Sequence, residues 1–178
     1  MKKLAARHPE KLLDLLNERL TFERMSVKLY DMILSRMKRS QDRPILGMVG
    51  QMTKQRNEVK EHEEWLEDRV RELGSDAHTM TEMSELVDRE LSGLLEVVTS
   101  QEELPHSFHA LLAAELVDDT GWKLLLQLAD EAGDDEARRD LRKRALEQEE
   151  HLVFIRSVVA AFARNEVLGK TMQMPVSP

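Results

Sequence analysis

The chain contains no cysteine, and that absence excludes disulfides, thiolate zinc sites, iron–sulfur clusters and cysteine nucleophiles. Glycine and proline are scarce, seven and five in 178 residues, so few positions interrupt a regular element. Aromatic residues make up only 4% and β-branched residues are also sparse, which removes the side chains that favour strands. What is common instead is Leu, Glu, Ala, Arg, Asp and Met, most of them helix formers. The fold class is therefore all-α. No apolar run approaches the ~20 residues of a membrane span. The basic start, MKKLAARHPEKLL, has no apolar segment of roughly 7–15 residues behind it. These features predict a cytoplasmic protein without a membrane partner. A net charge of −8 argues against nucleic acid, because phosphate contacts need clustered Lys and Arg.

The length suits one domain with a sizeable core. Apolar positions recur at spacings of three and four from Leu12 to Met37, after a proline suited to a first turn. SQDRP (40–44) breaks this helix, with Asp42 as a cap, and a second helix runs to about Leu73 before Gly74. Residues 75–104 are irregular and predict a short helix or two. A third helix spans about Pro105 to Ala132, Gly133 and Asp134 form a turn, and a fourth runs to about Leu168. Two short turns and one connection of about 30 residues describe a four-helix bundle with a single long crossover. Residues 1–168 are read as that domain, and 169–178 as a flexible tail.

Two stretches share the pattern E-x-x-E-H: EVKEH at 58–62 and EQEEH at 147–151. They lie 89 positions apart. The first and third helices repeat with an offset of 92, from Glu23 to Glu115 and from Tyr30 to Trp122. An internal duplication of a helix pair accounts for both offsets. The core stripe of the first helix reads Leu16, Leu20, Glu23, Val27, Tyr30, Leu34, Met37. That of the third reads Phe108, Leu112, Glu115, Asp119, Trp122, Leu126, Ala129. Each carries an acid in the middle of an apolar face. Such a carboxylate costs several kcal/mol, in order of magnitude, unless it is paired, protonated or bound to metal. Arg19 and Arg56 are candidate partners for a single acid. Two acids at matching positions, with a His on each remaining helix, fit a metal ion between the four helices: iron, manganese or zinc.

LLNERLTFERMSVKLYDMIL and AAELVDDTGWKLLLQLA resemble the first and third helices of ferritin-like di-iron proteins of the rubrerythrin and bacterioferritin type. The resemblance covers roughly residues 10–165. It implies a ferritin-like four-helix bundle in which the first and third helices each give one Glu and the others each give Glu-x-x-His. Glu23, Glu115, His62 and His151 match ligand positions. The bridging acids do not match, since Val59 and Gln148 stand three residues before the two histidines. Glu58 and Glu147, one turn before each His, are the carboxylates offered in their place, on the flank of the core stripe. Their structural alternative is a surface acid paired with Lys or Arg. Asp119 is a further candidate ligand, whereas Glu61 and Glu150 point about 100° away from the His.

Two functions follow. One is a di-iron or di-manganese carboxylate protein that handles iron, oxygen or peroxide with an altered, partly occupied site. The other is a ferritin-like structural, interaction or stress protein without a working metal centre. Enzymatic activity and oligomeric state stay open, a homodimer and a cage included.

Overall fold

The computed structural model describes residues 1–171 and 173, so the tail expected at 169–178 falls largely outside the described residues. The described residues form six α-helices and no strand: α1 Pro9–Met37, α2 Arg43–Gly47, α3 Val49–Glu72, α4 Glu82–Ser100, α5 Leu104–Glu131 and α6 Asp135–Leu168. None is long and apolar enough to cross a membrane.

Pro9, Pro44 and Pro105 each occupy the first turn of a helix, where the missing N–H costs nothing. Gly74 and Gly133 adopt φ of +82° and +61°, which lets the chain leave α3 and α5 in a left-handed turn. The second expected helix is split at Met48 into α2 and α3. Gly47 and Gly50 flank the break, and glycine carries the largest backbone entropy in a helix.

The irregular stretch 75–104 holds one 19-residue helix, α4. Its start is a reciprocal cap: Ser84 N–H donates to Thr81 Oγ1 at 3.3 Å, and Thr81 N–H donates to Ser84 Oγ at 2.6 Å. Val87, Leu91 and Val98 form its buried stripe. Ser92 and Gly93, weak helix formers, interrupt the pattern in sequence, and packing against α1 and α5 overrides them.

Side-chain pairs set the directions of the other helices. Arg56 meets Asp31 and Glu67 meets Arg24, so α1 and α3 are antiparallel. Tyr30 with Glu115 and Trp122 with Glu23 make α1 and α5 antiparallel. The same reasoning from His62 with Glu147 and His151 with Glu58 applies to α3 and α6. Gln148 with Glu115 and Arg138 with Asp130 apply it to α5 and α6. Thus α1, α3, α6 and α5 form a ring of antiparallel neighbours. Because α3 and α5 run the same way, the chain must return along the bundle between them, and α4 is that return.

The apolar core falls into two clusters. One holds Met25, Tyr30, Val59, Leu111, Ala114 and Ile155. The other holds Leu16, Leu20, Leu66, Trp122, Leu125 and Leu141. On every helix of the ring the sequence passes from one cluster to the other through a polar residue. That polar layer is where chemistry is available.

Candidate metal centre

Glu23 from α1, His62 from α3, Glu115 from α5 and His151 from α6 all lie buried in this layer. Their contacts cross between the two halves of the chain. His62 Nε2 lies 3.0 Å from Glu147 Oε2, and His151 Nε2 lies 3.0 Å from Glu58 Oε2. Each E-x-x-E-H histidine is thus held by the first Glu of the other motif. Lys54 supports Glu58 at 3.2 Å, and Lys143 supports Glu147 at 3.4 Å. The His151 hydrogen bond holds Glu58 below the ordinary carboxylate pKa, even against partial burial. Burial pushes Glu147 up, but His62 and Lys143 outweigh it and Glu147 is lowered as well. An ionised carboxylate only accepts, so Nε2 carries a hydrogen, and in the neutral ring Nδ1 then keeps its lone pair.

The acids exchange partners in the same way. Trp122 Nε1–H donates to Glu23 Oε1 at 2.7 Å, and Tyr30 O–H donates to Glu115 Oε1 at 2.7 Å. The offsets of 92 and 89 therefore describe reciprocal pairs in space. Trp122 and Tyr30 entered the sequence patterns as core residues, and their polar ends are what the layer uses.

The symmetry breaks at the positions before the histidines. Gln148 Nε2–H donates to Glu115 Oε2 at 2.6 Å, so both oxygens of Glu115 are engaged. Val59 stands at the equivalent position on α3, 89 residues earlier, and has nothing to donate. Glu23 Oε2 meets no hydrogen-bond donor, its carboxyl neighbour being Asp118, and Nδ1 of His62 and Nδ1 of His151 are buried without a partner. His62 Nδ1 lies 3.8 Å from Glu23 Oε1. The two imidazoles are near-parallel, with centroids 6.2 Å apart.

Asp118 belongs to this layer and was not singled out by periodicity. It is buried and accepts from Arg19 Nη2 at 2.6 Å. Asp119, the expected stripe residue, instead pairs with Lys123 at 2.9 Å on the edge of α5. Both acids fit between Glu115 and Trp122, because steps of three and four are equally helical. The buried counter-ion Arg19 would have been the signal. Arg56, the other candidate, binds Asp31 at 2.8 Å on the surface. Glu58 and Glu147 reach the outer nitrogens of the rings, and each also makes the lysine pair of the structural alternative.

Burial, then the negative charge of Asp118, raises Glu23 well above the ordinary carboxylate pKa. Burial foremost raises Glu115 to about 7, and burial lowers His62. Among the described residues, no three His, Asp or Glu side chains stand together as a ready-made cation cage. Comparison with protein-family models, with curated proteins and with solved structures finds no match.

A pH dependence follows from Glu115. Its folded-state pKa of about 7 exceeds the ordinary 4.5, so between those values the metal-free folded protein holds a proton that the unfolded chain has released. This contribution to stability is complete below the window and is lost as pH rises through it, by about 3 kcal/mol. Glu115→Gln is expected to abolish that loss. Urea denaturation of both proteins on either side of the window checks it, and a variant with the wild-type pH slope would assign the slope elsewhere.

Proposed function

We propose that the chain is a ferritin-like four-helix bundle that binds one divalent transition-metal ion in its polar layer, through Glu23, His62 and His151. The fold assignment is supported by the antiparallel ring of α1, α3, α6 and α5 and by its single long crossover. The likeness of the first and third helices to the rubrerythrin and bacterioferritin type supports it too. The site assignment is carried by one observation: both histidines have Nε2 fixed by a carboxylate and Nδ1 buried without a partner. A metal-ligating His characteristically gives its other N–H to a carboxylate. Two such nitrogens and the Glu23 carboxyl, with Asp118 beside it, make a set suited to iron(II), manganese or zinc. With metal–nitrogen bonds of ~2.0–2.1 Å and a tetrahedral angle, two rings on one ion have centroids about 5.2 Å apart. From their separation of 6.2 Å the rings would have to draw together by about 1 Å on the ion.

The remaining residues act around this set. Glu58 and Glu147 hold the rings. Trp122 orients Glu23. Tyr30 and Gln148 engage Glu115 fully, which takes the fourth ligand position and the second ion out of the proposal. Iron or manganese bound here would supply one-electron chemistry toward oxygen or peroxide. The apolar clusters above and below would keep bulk water from the ion.

Metal analysis of protein purified without chelator, with cobalt(II) titration followed by absorbance, is expected to give about one ion per chain. His62→Ala, His151→Ala and Glu23→Gln should each weaken binding by about a hundredfold, near 2.7 kcal/mol, while Glu115→Gln keeps it. Undiminished binding in the histidine variants, or two ions per chain, contradicts the single-ion site. A metal-free structural protein is the second function, favoured by the saturation of Glu115 and by a raised Glu23 pKa that lets a proton take the place of a cation. Its mark would be a melting temperature unmoved by iron, manganese, cobalt or zinc.

A further inference from the structure

The outward side of α6 carries a row at alternating steps of three and four: Arg139, Arg142, Leu146, Glu149, Val153 and Arg156, every one exposed. Leu146 is 57% and Val153 59% exposed. Heptad-like spacing is how one helix presents a seam to another helix, and no element of the described chain covers this one. The charges along it are ordered. Arg142 precedes Leu146 by four residues, and Glu149 follows it by three. Lys143 is engaged by Glu147 and Glu150 by Lys54. Arg142 and Glu149 have no ion-pair partner among the described residues, although Lys123 of α5 feels the charge of Glu149.

Around a central leucine, Arg142 four residues before it and Glu149 three residues after it are complementary to each other when the helix is reversed. A twofold axis through Leu146 sets Arg142 of each copy beside Glu149 of the other, the reciprocity that an isologous contact requires. A parallel arrangement would set like charges together. We propose that two copies of this chain associate antiparallel through this face of α6, with Leu146 on the axis. The contact lies on the opposite side of α6 from His151 and is independent of metal binding.

Charge exchange tests it. Arg142→Glu puts an acid at both contact positions, 142 and 149, and Glu149→Arg puts an arginine at both, so each variant alone should dimerise at least about tenfold more weakly than wild type, or about 1.4 kcal/mol. Mixing the two variants should restore a heterodimer, because each acid then meets an arginine of the other chain at both contacts. Sedimentation velocity gives the homodimer constants. Native mass spectrometry of one isotope-labelled and one unlabelled variant reports the heterodimer. The exchange separates the surface from the fold, since a variant damaged in folding would not be rescued by its opposite. A wild-type chain that stays monomeric as concentration rises, single variants that dimerise as well as wild type, or a mixture without heterodimer would each overturn the proposal.

Discussion

Gly121→Ala is expected to destabilise the protein by about 3–5 kcal/mol, the range seen when a buried ion pair is broken. A Cβ at Gly121 would stand 1.8 Å from Nη1, 2.6 Å from Cζ and 2.9 Å from Cδ of Arg19. Alanine is ordinarily the better helix residue by about 1 kcal/mol, so the sign is set by the clash alone. Arg19 has little freedom to retreat. It is buried, donates to Asp118 at 2.6 Å, and lies 4.3 Å from the Phe22 ring centroid. Displacing it strips Asp118 of its counter-ion beside Glu23, where burial already raises the pKa of both acids. Arg19→Met should cost a similar amount by the same uncompensated acid. The double variant Arg19→Met, Gly121→Ala should be no worse than Arg19→Met alone, because the methyl then has room. Urea midpoints of the four proteins form the cycle. Additive losses would mean that Gly121 does not act through Arg19.

Val59→Glu together with Gln148→Glu is expected to lower the stability of the metal-free protein by a few kcal/mol and to make its stability depend on metal. Gln148→Glu removes the donor to Glu115 Oε2 and sets a second carboxyl against it. Val59→Glu adds another at a fully buried position of α3. Acids without partners in this layer carry the desolvation cost of charge burial. Both changes also complete Glu-x-x-His before His62 and His151, the ligand pattern of the proposed ferritin-like bundle. If the layer accepts two ions once its acids are restored, iron(II) or manganese should return about 4 kcal/mol at a thousandfold excess over Kd. The bound count should then rise from one toward two. Each single variant should gain less. Melting temperatures and metal content of all four proteins decide it, and a destabilised double variant that no metal rescues would separate this layer from the di-iron design.

Much of the molecule was legible one helix at a time. Leu16, Leu20, Glu23 and Tyr30 fall on one face because a helix returns every 3.6 residues, and the structure buries all four. The bounds of α1, α5 and α6 were readable from prolines and glycines that act within a single turn. Gly74 and Gly133 likewise announced the turns they make. Where local signals conflicted, sequence was a weaker guide. The region 75–104 mixes helix formers with the weak formers Ser92 and Gly93, and contact with α1 and α5 holds Glu82–Ser100 as one continuous helix. The step from Glu115 was ambiguous between Asp118 and Asp119 for the same reason. Helical spacing allows both, and a counter-ion on another helix selects one.

The candidate centre divides along the same line. Residue type and spacing alone place two acids and two histidines at one level of the bundle, because helix pitch and the repeat offsets are properties of the chain. Partner choice is a property of the packed helices. His62 is held by Glu147, 85 positions away, and Tyr30 donates to Glu115 at the same separation. No local rule connects such residues. The antiparallel ring brings α3 against α6 and α1 against α5, and low-dielectric burial then makes every unpaired lone pair costly. That cost draws Gln148 to Glu115, whereas Val59, at the corresponding position, has no group to offer, and both Nδ1 atoms stay without partners. A single residue difference between repeats, Val59 against Gln148, becomes an asymmetric site only when four helices close around it.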